Sequence, residues 1–303
     1  MELIEEFKTR FDIDLKKYLD SIQSEDVISE AFKYSILNGG KRVRPTLVFL
    51  GAIANAPKRT GFDDIYEKVR DLAIGIELIH SYSLVHDDLP CMDNDMLRRG
   101  QPTTHAKYGA GMATITGDAM LNGAAEKMLC GLNSLESVYD YRAQVEAVRY
   151  ILDCSGIYGM VGGQAIDIQN KELTLRETIQ MYKMKTSALL RAALVAGAIR
   201  FEASEYVIKS FEEYADNFGL LFQVVDDILD KTSTKEVLGK DVKKDAENNK
   251  ATYVDLVGGI ENAKVNCQMF AQRAINAIKL IEHRISYADV FYDYINKMLT
   301  REK

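Results

Sequence analysis

The sequence predicts an all-α protein built as one large helical domain over residues 1–303, and three observations support this. All four prolines lie in the first third of the chain, and none follows Thr103. Proline is the strongest breaker of helices, so the remaining two thirds are open to long helices. Alternating strand-like patterns flanked by turns are scarce, and no linker or shift in composition divides the chain. A chain of this length can bury an ample core.

Composition excludes several classes of function. The net charge of −7 and the pI of about 5.3 argue against a nucleic-acid partner, which would require a basic face. Four widely spaced cysteines, without metal-binding spacing, suit a reducing compartment. The most apolar stretch, Ala188–Ile199, is too short to span a bilayer, and the acidic N-terminus is unlike a secretory signal. We therefore expect a cytoplasmic protein with no stable membrane insertion.

The helices can be assigned in order along the chain. The first covers about residues 2–20, and the second ends at residues 38–40, where glycine tolerates a left-handed C-cap. A third ends before Asn55, and the fourth covers about 65–89. Thr174 and Glu177 have capping-box spacing at the start of one later helix. The later helical patterns cover about 110–131, 137–159, 174–199, 204–230, 260–283 and 286–302.

An acidic cluster follows the fourth helix. Four aspartates fall within nine positions, and two arginines come after them (Asp87, Asp88, Asp93, Asp95, Arg98, Arg99). Carboxylates this close raise one another's pKa unless a cation intervenes. His80, Ser83 and Asp87 have helical spacing, which places Asp87 at a helix C-terminus, where the dipole disfavours anions. The pattern indicates a site for hard divalent cations such as Mg²⁺, with a solvated acidic loop as the alternative.

A second acidic cluster lies in the 204–230 helix. Asp226 and Asp230 are four residues apart and so share a face, together with Gln223 and Asp227. Another face carries an apolar stripe, which predicts core or subunit contact (Phe211, Tyr214, Phe218, Phe222, Val225, Leu229). Residues 231–250 are polar and rich in lysine, which is typical of a mobile flap. A solvated helix end is the alternative, but two such clusters could face one another and hold two or three Mg²⁺ with phosphate oxygens.

Basic residues recur near the predicted helix ends. Arginine forks match phosphate oxygens, and together with the two acidic clusters they predict a site for two diphosphates. One diphosphate would be held through metal and the other directly by cations. Any one of these residues could instead be a surface charge. They are Lys41, Arg42, Arg44, Arg98, Arg99, Lys185, Lys240 and Lys250.

Six segments together resemble the trans-isoprenyl diphosphate synthases, and most closely the bacterial farnesyl diphosphate synthases. They are GGKRVRP, HSYSLVHDDLPCMDNDMLRRG, GMVGGQAID, KMKTSALL, FQVVDDILD and the LGK…NNKATY segment, in the family's order from Gly39 to Tyr253. The resemblance implies a single polyprenyl synthase domain. It also implies about ten or more mostly antiparallel helices around a central cavity, usually assembled as a homodimer.

The resemblance also implies roles for individual residues. The metal ligands would be Asp87, Asp88, Asp93, Asp226 and Asp230, and the catalytic residues would be Asp87, Asp88, Asp93, Asp226, Asp227, Lys185, Thr186 and Gln223. The isopentenyl diphosphate side would comprise Gly40, Lys41, Arg44, His80 and Arg99. The allylic diphosphate side would comprise Arg98, Lys185, Thr186, Gln223, Lys240 and Lys250. Gln164 and Asp167 are expected to line the cavity. Met96 stands where relatives usually keep an aspartate, which is expected to tune metal affinity.

The implied reaction condenses isopentenyl diphosphate with dimethylallyl or geranyl diphosphate through an allylic cation, with three Mg²⁺ per active site and Mn²⁺ as a substitute. Product length is expected to depend on Tyr82 and Ser83. Tyr82 lies five residues, or about 7.5 Å of helix rise, before Asp87. In the family an aromatic residue there closes the pocket floor, so (2E,6E)-farnesyl diphosphate is the expected product.

Four other functions stay open at this point. A geranylgeranyl (C20) or longer-chain synthase carries similar motifs, and Tyr82 disfavours it. A class I terpene cyclase would not need Lys41, Arg44 and His80 for a second diphosphate. A non-catalytic partner subunit would be expected to have lost one aspartate cluster, and this chain keeps both. A helical interaction protein would explain the apolar stripes but not the clustered charges.

Overall fold

The computed structural model describes residues 2–23, 26–37, 39–134, 137–169, 171–232 and 251–301, so Lys240, Lys250 and most of the predicted flap lie outside the described residues. The helices are α1 (Glu2–Asp20), α2 (Val27–Leu37), α3 (Val43–Asn55), α4 (Phe62–Asp87), α5 (Thr104–Tyr108), α6 (Ala110–Cys130), α7 (Val138–Ser155), α8 (Met160–Asp167), α9 (Leu175–Tyr182), α10 (Ala188–Ile199), α11 (Glu205–Thr232), α12 (Tyr253–Leu256), α13 (Ile260–Lys279) and α14 (Ala288–Leu299). A 3₁₀ turn, Gly131–Ser134, follows α6. Two short antiparallel strands, β1 (Leu97–Arg98) and β2 (Gln101–Pro102), are the only strands in the described ranges. The predicted all-α bundle is confirmed.

The apolar helix α10 lies at the centre and packs against α3, α7 and α11. Nearly all of its side chains are buried, which fits a helix that is apolar on every face. Its contact with α3 is made backbone to backbone, because a Cβ at Gly51 would lie 2.0 Å from the Leu194 carbonyl oxygen. The outer helix α1 contributes one face to the core, from Phe7 and Phe11 to Leu19. In α11 the predicted stripe is confirmed as core at Phe211, Tyr214, Phe218 and Val225.

Two predicted helices are interrupted in the structure. The predicted 137–159 helix ends at Ser155, and the chain turns through Gly156–Gly159 before α8 begins. The predicted 174–199 helix contains a π-helical turn, Lys183–Ser187, between α9 and α10. The predicted capping box at Thr174 and Glu177 is confirmed. None of the described helices combines the length and hydropathy that a bilayer span requires.

Candidate active site

The first acidic cluster lies where α4 ends. Asp87 is the last helical residue, two residues earlier than predicted. The chain then folds back on itself, because the Asp93 amide donates to the Asp87 carbonyl at 2.9 Å and the Asn94 amide donates to the Leu89 carbonyl at 3.0 Å. Asn94 adopts a left-handed conformation in this turn. The reversal brings Asp93 beside Asp87, as the resemblance requires.

Asp87 and Asp93 lie near a lysine of the π-helical turn, Lys185. Burial raises the pKa of Asp87 to about 6; the nearby Lys185 opposes this shift and Asp93 adds to it. Burial likewise raises the pKa of Asp93, and Lys185 again opposes the shift. The Lys185 ammonium donates to Asp167 at 2.6 Å. Lys185 therefore lies near three carboxylates. Arg98 also lowers the pKa of Asp87 and Asp93 but is bonded to Asp88, so negative charge remains in excess at this end of α4.

Asp88 has a different environment from its neighbours. It is 2% exposed and accepts three hydrogen bonds from Arg98, at 2.6–3.0 Å. Two of these bonds come from Nε and one from Nη2, so the guanidinium lies against both carboxylate oxygens. In this structure Asp88 holds Arg98 in place. The metal role of Asp88 and the diphosphate role of Arg98 remain predictions.

The π-helical turn connects the two acidic clusters. Lys185 lies near the Asp87 cluster, and the next residue, Thr186, donates its hydroxyl to Gln223 Oε1 of α11 at 3.0 Å. Helix α8 can approach this turn because Gly163 has no side chain: a Cβ there would lie 2.3 Å from the backbone nitrogen of Lys185. Consecutive residues of one turn thus reach opposite sides of the site.

The second acidic cluster is held by three side chains around it. Asp227 accepts hydrogen bonds from the Tyr182 hydroxyl at 2.7 Å and from Gln223 at 3.2 Å. Asp226 forms an ion pair with Arg301 at 2.7 Å, beyond the end of α14. Burial raises the pKa of both Asp226 and Asp227 to about 6; Arg301 opposes the shift at Asp226, as the Tyr182 hydrogen bond does at Asp227. The charge of Lys41 also lowers the pKa of Asp226, so Lys41 lies near the second cluster.

A cavity with a volume of about 420 Å³ opens between α3, α4 and the π-helical turn. Because several of its lining residues are basic, it is called the cation-lined cavity. All five residues predicted for the isopentenyl diphosphate side line it: Gly40, Lys41, Arg44, His80 and Arg99. Thr186, Phe222 and Glu77 also line it. Burial lowers the pKa of His80 below its usual range, and the charge of Arg44 adds to this effect, so His80 is neutral near pH 7.

Three parts of the site were not predicted from the sequence. Glu77 is a buried acid on the cavity wall, and its only sequence signal is its position one helical turn before His80. Arg301 lies 75 residues from its partner Asp226, and nothing in the sequence connects the two. Tyr182 precedes the π-helical turn, and it could have been noticed only as an aromatic residue beside the KMKTSALL segment.

Oxygen donors of the two clusters suit Mg²⁺. Within the described ranges, no three histidine, cysteine, aspartate or glutamate side chains are placed to hold a metal ion by themselves. Proteins commonly bind Mg²⁺ with one or two carboxylates, leaving the other positions to water and substrate phosphates. Asp87 with Asp93, and Asp226 beside Asp230, supply such partial sites, and the mutual repulsion within each set favours a cation. The residues therefore fit the metal.

Comparison with known proteins shows the family of this chain. Residues 25–281 match the model of the family described as Polyprenyl synthetase, and the chain belongs to this family. It is 33% identical over 300 residues to a farnesyl diphosphate synthase of Bacillus subtilis, covering 97% of this chain and 96% of that one. It is also 41% identical over 258 residues to a chloroplastic geranylgeranyl pyrophosphate synthase of Capsicum annuum, covering 83% of this chain and 67% of that one. A solved geranyltransferase of Helicobacter pylori, complexed with magnesium and isoprenyl diphosphate, has a TM-score of 0.80 at 29% identity, covering 99% and 97%.

Proposed function

We propose that this protein condenses isopentenyl diphosphate head to tail with dimethylallyl and geranyl diphosphate, giving (2E,6E)-farnesyl diphosphate and pyrophosphate. One observation supports this most directly. The cation-lined cavity gathers every residue predicted for isopentenyl diphosphate, and its wall includes Thr186, which hydrogen-bonds across to the second acidic cluster through Gln223. Two diphosphates could then lie side by side, one on cations and one on metal.

Asp87, Asp93, Asp226 and Asp230 would hold Mg²⁺, which supplies Lewis-acid neutralisation of the allylic diphosphate when bound. Three ions are proposed per active site, with Mn²⁺ as a substitute. Asp88, also predicted as a metal ligand, would in addition orient Arg98 toward the same diphosphate. Lys185 would stabilise the negative charge that accumulates on the departing pyrophosphate.

The reaction begins when the allylic C–O bond breaks and its electron pair leaves with pyrophosphate. The oxygen atoms of Thr186 and Gln223, which are hydrogen-bonded to one another, would favour the allylic cation. The double bond of isopentenyl diphosphate, held by Lys41, Arg44 and Arg99, supplies the electron pair of the new C–C bond. A proton is then lost from the adjacent carbon to pyrophosphate. Water would capture the cation as an alcohol and must be excluded, and Val43, Leu190 and Phe222 supply the apolar part of the cavity lining.

The proposed C15 product rests on Tyr82. Its ring is buried in α4, 6% exposed, and it contacts the His86 ring edge-on with centroids 5.8 Å apart. His86 in turn packs directly against Gly117 of α6, where a Cβ would lie 2.1 Å from Nε2 of the imidazole. Tyr82 thus cannot swing toward α6 without displacing His86. A tail that grew along α4 as far as Tyr82 would meet this ring.

The proposal is tested by incubating the protein with Mg²⁺, labelled isopentenyl diphosphate and either dimethylallyl or geranyl diphosphate. The chain length of the labelled product is then analysed. A C15 alcohol after dephosphorylation is the expected product. Label that stays entirely in isopentenyl diphosphate would exclude a prenyltransferase. A cyclic hydrocarbon formed from an allylic diphosphate alone would point to a terpene cyclase.

A C20 or longer product is the second candidate function. The observation that favours it is the identity of 41% to the Capsicum annuum geranylgeranyl pyrophosphate synthase, which exceeds the identity to the Bacillus subtilis enzyme. The buried Tyr82 favours C15 instead. The same chain-length analysis separates the two products directly.

We also propose one domain over residues 1–303, assembled as a homodimer in the cytoplasm. Among the described residues, one buried apolar cluster includes side chains of helices from α1 to α14, which supports one domain. Large apolar side chains are exposed on and just after α7, including Val138, Tyr139 and Tyr158, which supports a covered face. All four cysteines are free thiols, as suits a reducing compartment. Sedimentation equilibrium of the wild type and of Tyr158→Glu tests the dimer.

A further inference from the structure

Glu77 supplies the only carboxylate among the described residues that line the cation-lined cavity. Its side chain is 5% exposed, and Arg42 Nη1 donates to Glu77 Oε1 at 2.7 Å. Arg42 also donates from Nε to Asp12 at 3.0 Å. With carboxylates on two sides, Arg42 is the cavity cation least available to a bound anion.

Arg42 also has an unusual backbone. It precedes α3 with φ at 50°, a left-handed conformation that costs a non-glycine residue about 1–2 kcal/mol. The Arg42 carbonyl accepts hydrogen bonds from the amide and the hydroxyl of Thr46, at 3.1 and 2.7 Å. The residue is therefore fixed at both ends, by α3 through its carbonyl and by Glu77 of α4 through its guanidinium. This sets the direction in which Gly40 and Lys41 enter the cavity.

Arg44 differs from Arg42 in its hydrogen bonding. Its Nε is buried without a hydrogen-bond partner in the described part of the chain. Burial lowers the pKa of Arg44 to about 10; Glu77 opposes this shift, and the charge of Arg99 adds to it. Glu77 therefore supports the charge of Arg44 from a distance, while its own hydrogen bond goes to Arg42.

We propose that Glu77 is a positioning residue for isopentenyl diphosphate: by holding Arg42 it fixes the 39–42 loop and leaves Arg44 to the diphosphate. A carboxylate beside a diphosphate site repels the ligand, so its placement there is explained by what it does to Arg42. The inference rests on the proposed function, because the proposed function supplies the identity of the anion.

The test is a calorimetric titration of the full chain with isopentenyl diphosphate in EDTA, where metal-dependent binding of diphosphate is absent. The wild type should bind through the cavity cations alone. Glu77→Ala should bind about 10- to 100-fold more weakly, the range expected for losing a hydrogen bond to a charged group. Glu77→Gln should recover most of the affinity, because its amide oxygen can still accept from Arg42.

Asp140→Asn is the matched control. It removes a carboxylate partner of Arg200, an arginine side chain that is only 1% exposed, near α7 and α10 rather than at the cavity. It should lower the melting temperature but leave affinity for isopentenyl diphosphate unchanged. In steady-state assays with Mg²⁺, Glu77→Ala should raise KM for isopentenyl diphosphate and leave KM for geranyl diphosphate within about twofold, a split that reports uniform binding at one site.

Arg42→Gly keeps the inference testable if Glu77→Ala does not fold, since glycine accepts the left-handed conformation. It should weaken binding as much as Glu77→Ala, and the double variant should be no weaker than either single variant. Affinities of Glu77→Ala or Arg42→Gly within twofold of wild type would overturn the role of Glu77. A wild type that does not bind in EDTA would instead overturn the proposed use of the cavity.

Discussion

The raised pKa values of the acidic clusters predict a specific pH dependence of stability and of Mg²⁺ binding. Burial raises the pKa of Asp87 and Asp226 to about 6 in the metal-free protein, whereas an unfolded chain titrates them near the ordinary value of 3.8. The folded state then binds more protons than the unfolded state between these values. Their contribution to stability is therefore full below about pH 4 and is lost as the pH rises through about 6.

The size of the effect follows from the shift. A pKa shift of about two units corresponds to about 3 kcal/mol of folding free energy for a group that water does not reach. Asp226 has 30% of its side chain exposed, so we expect about 1–2 kcal/mol per group after screening. For a chain of this size each kcal/mol lowers the melting temperature by about 2–4 °C. Bound Mg²⁺ requires ionised ligands, so it should stabilise the protein at about pH 7.5 and have little effect at about pH 5.

Thermal unfolding monitored by circular dichroism, with and without Mg²⁺ across this pH range, is the assay. Asp87→Asn mimics the protonated carboxyl and should remove part of the pH dependence in EDTA. Asp64→Asn is the control, since Asp64 is exposed in the first turn of the same helix, about 34 Å away by helix rise. The reasoning fails if Asp87→Asn and wild type give parallel pH profiles, or if Mg²⁺ stabilises the protein equally at both pH values.

Three further predictions concern the same site. Asp87→Ala and Asp226→Ala should each lower kcat by about 10²-fold or more, measured with saturating substrates, because each removes a proposed metal ligand at the departing diphosphate; near-normal turnover would refute the assignment. Tyr82→Ala should lengthen the product from C15 to C20 or longer, whereas Tyr18→Ala, which removes a partly buried tyrosine of α1, should leave it at C15; products unchanged in Tyr82→Ala would place the floor elsewhere. Arg301→Ala should tighten Mg²⁺ binding about two- to fivefold in calorimetry, because Arg301 pairs with Asp226 in a partly exposed site; weaker Mg²⁺ binding would contradict this competition.

The sequence predicted the helices best where local signals were strong. The capping box at Thr174, the glycines after α2 and the position of Asp87 at the end of α4 were all found from short-range chemistry. The interruptions of the later helices were not found. A π-helical turn at Lys183–Ser187 depends on close approach by Gly163 of α8 and Gly219 of α11, which are contacts between distant parts of the chain.

The candidate site was predicted unevenly for the same reason. Residues that act through their own charge, such as Lys41 and Arg99, were identified by motif and lie together in the cavity. Contacts in which one side chain holds another were not predicted. Glu77 holds Arg42, and Asp88 accepts hydrogen bonds from Arg98, while its metal role stays a prediction. Periodicity and spacing report which residues share a face, but they do not report which partner each one binds.

The π-helical turn has a consequence for how this segment tolerates insertions and deletions. A π turn carries one more residue than an α turn, so deleting one residue between Lys183 and Ser187 would leave an uninterrupted, locally more favourable helix. It would also rotate α9 by about 100° relative to α10. The hydroxyl of Thr186 and the ammonium of Lys185 would then leave Gln223 and Asp167. The extra residue allows the adjacent side chains of Lys185 and Thr186 to reach different partners, Asp167 and Gln223.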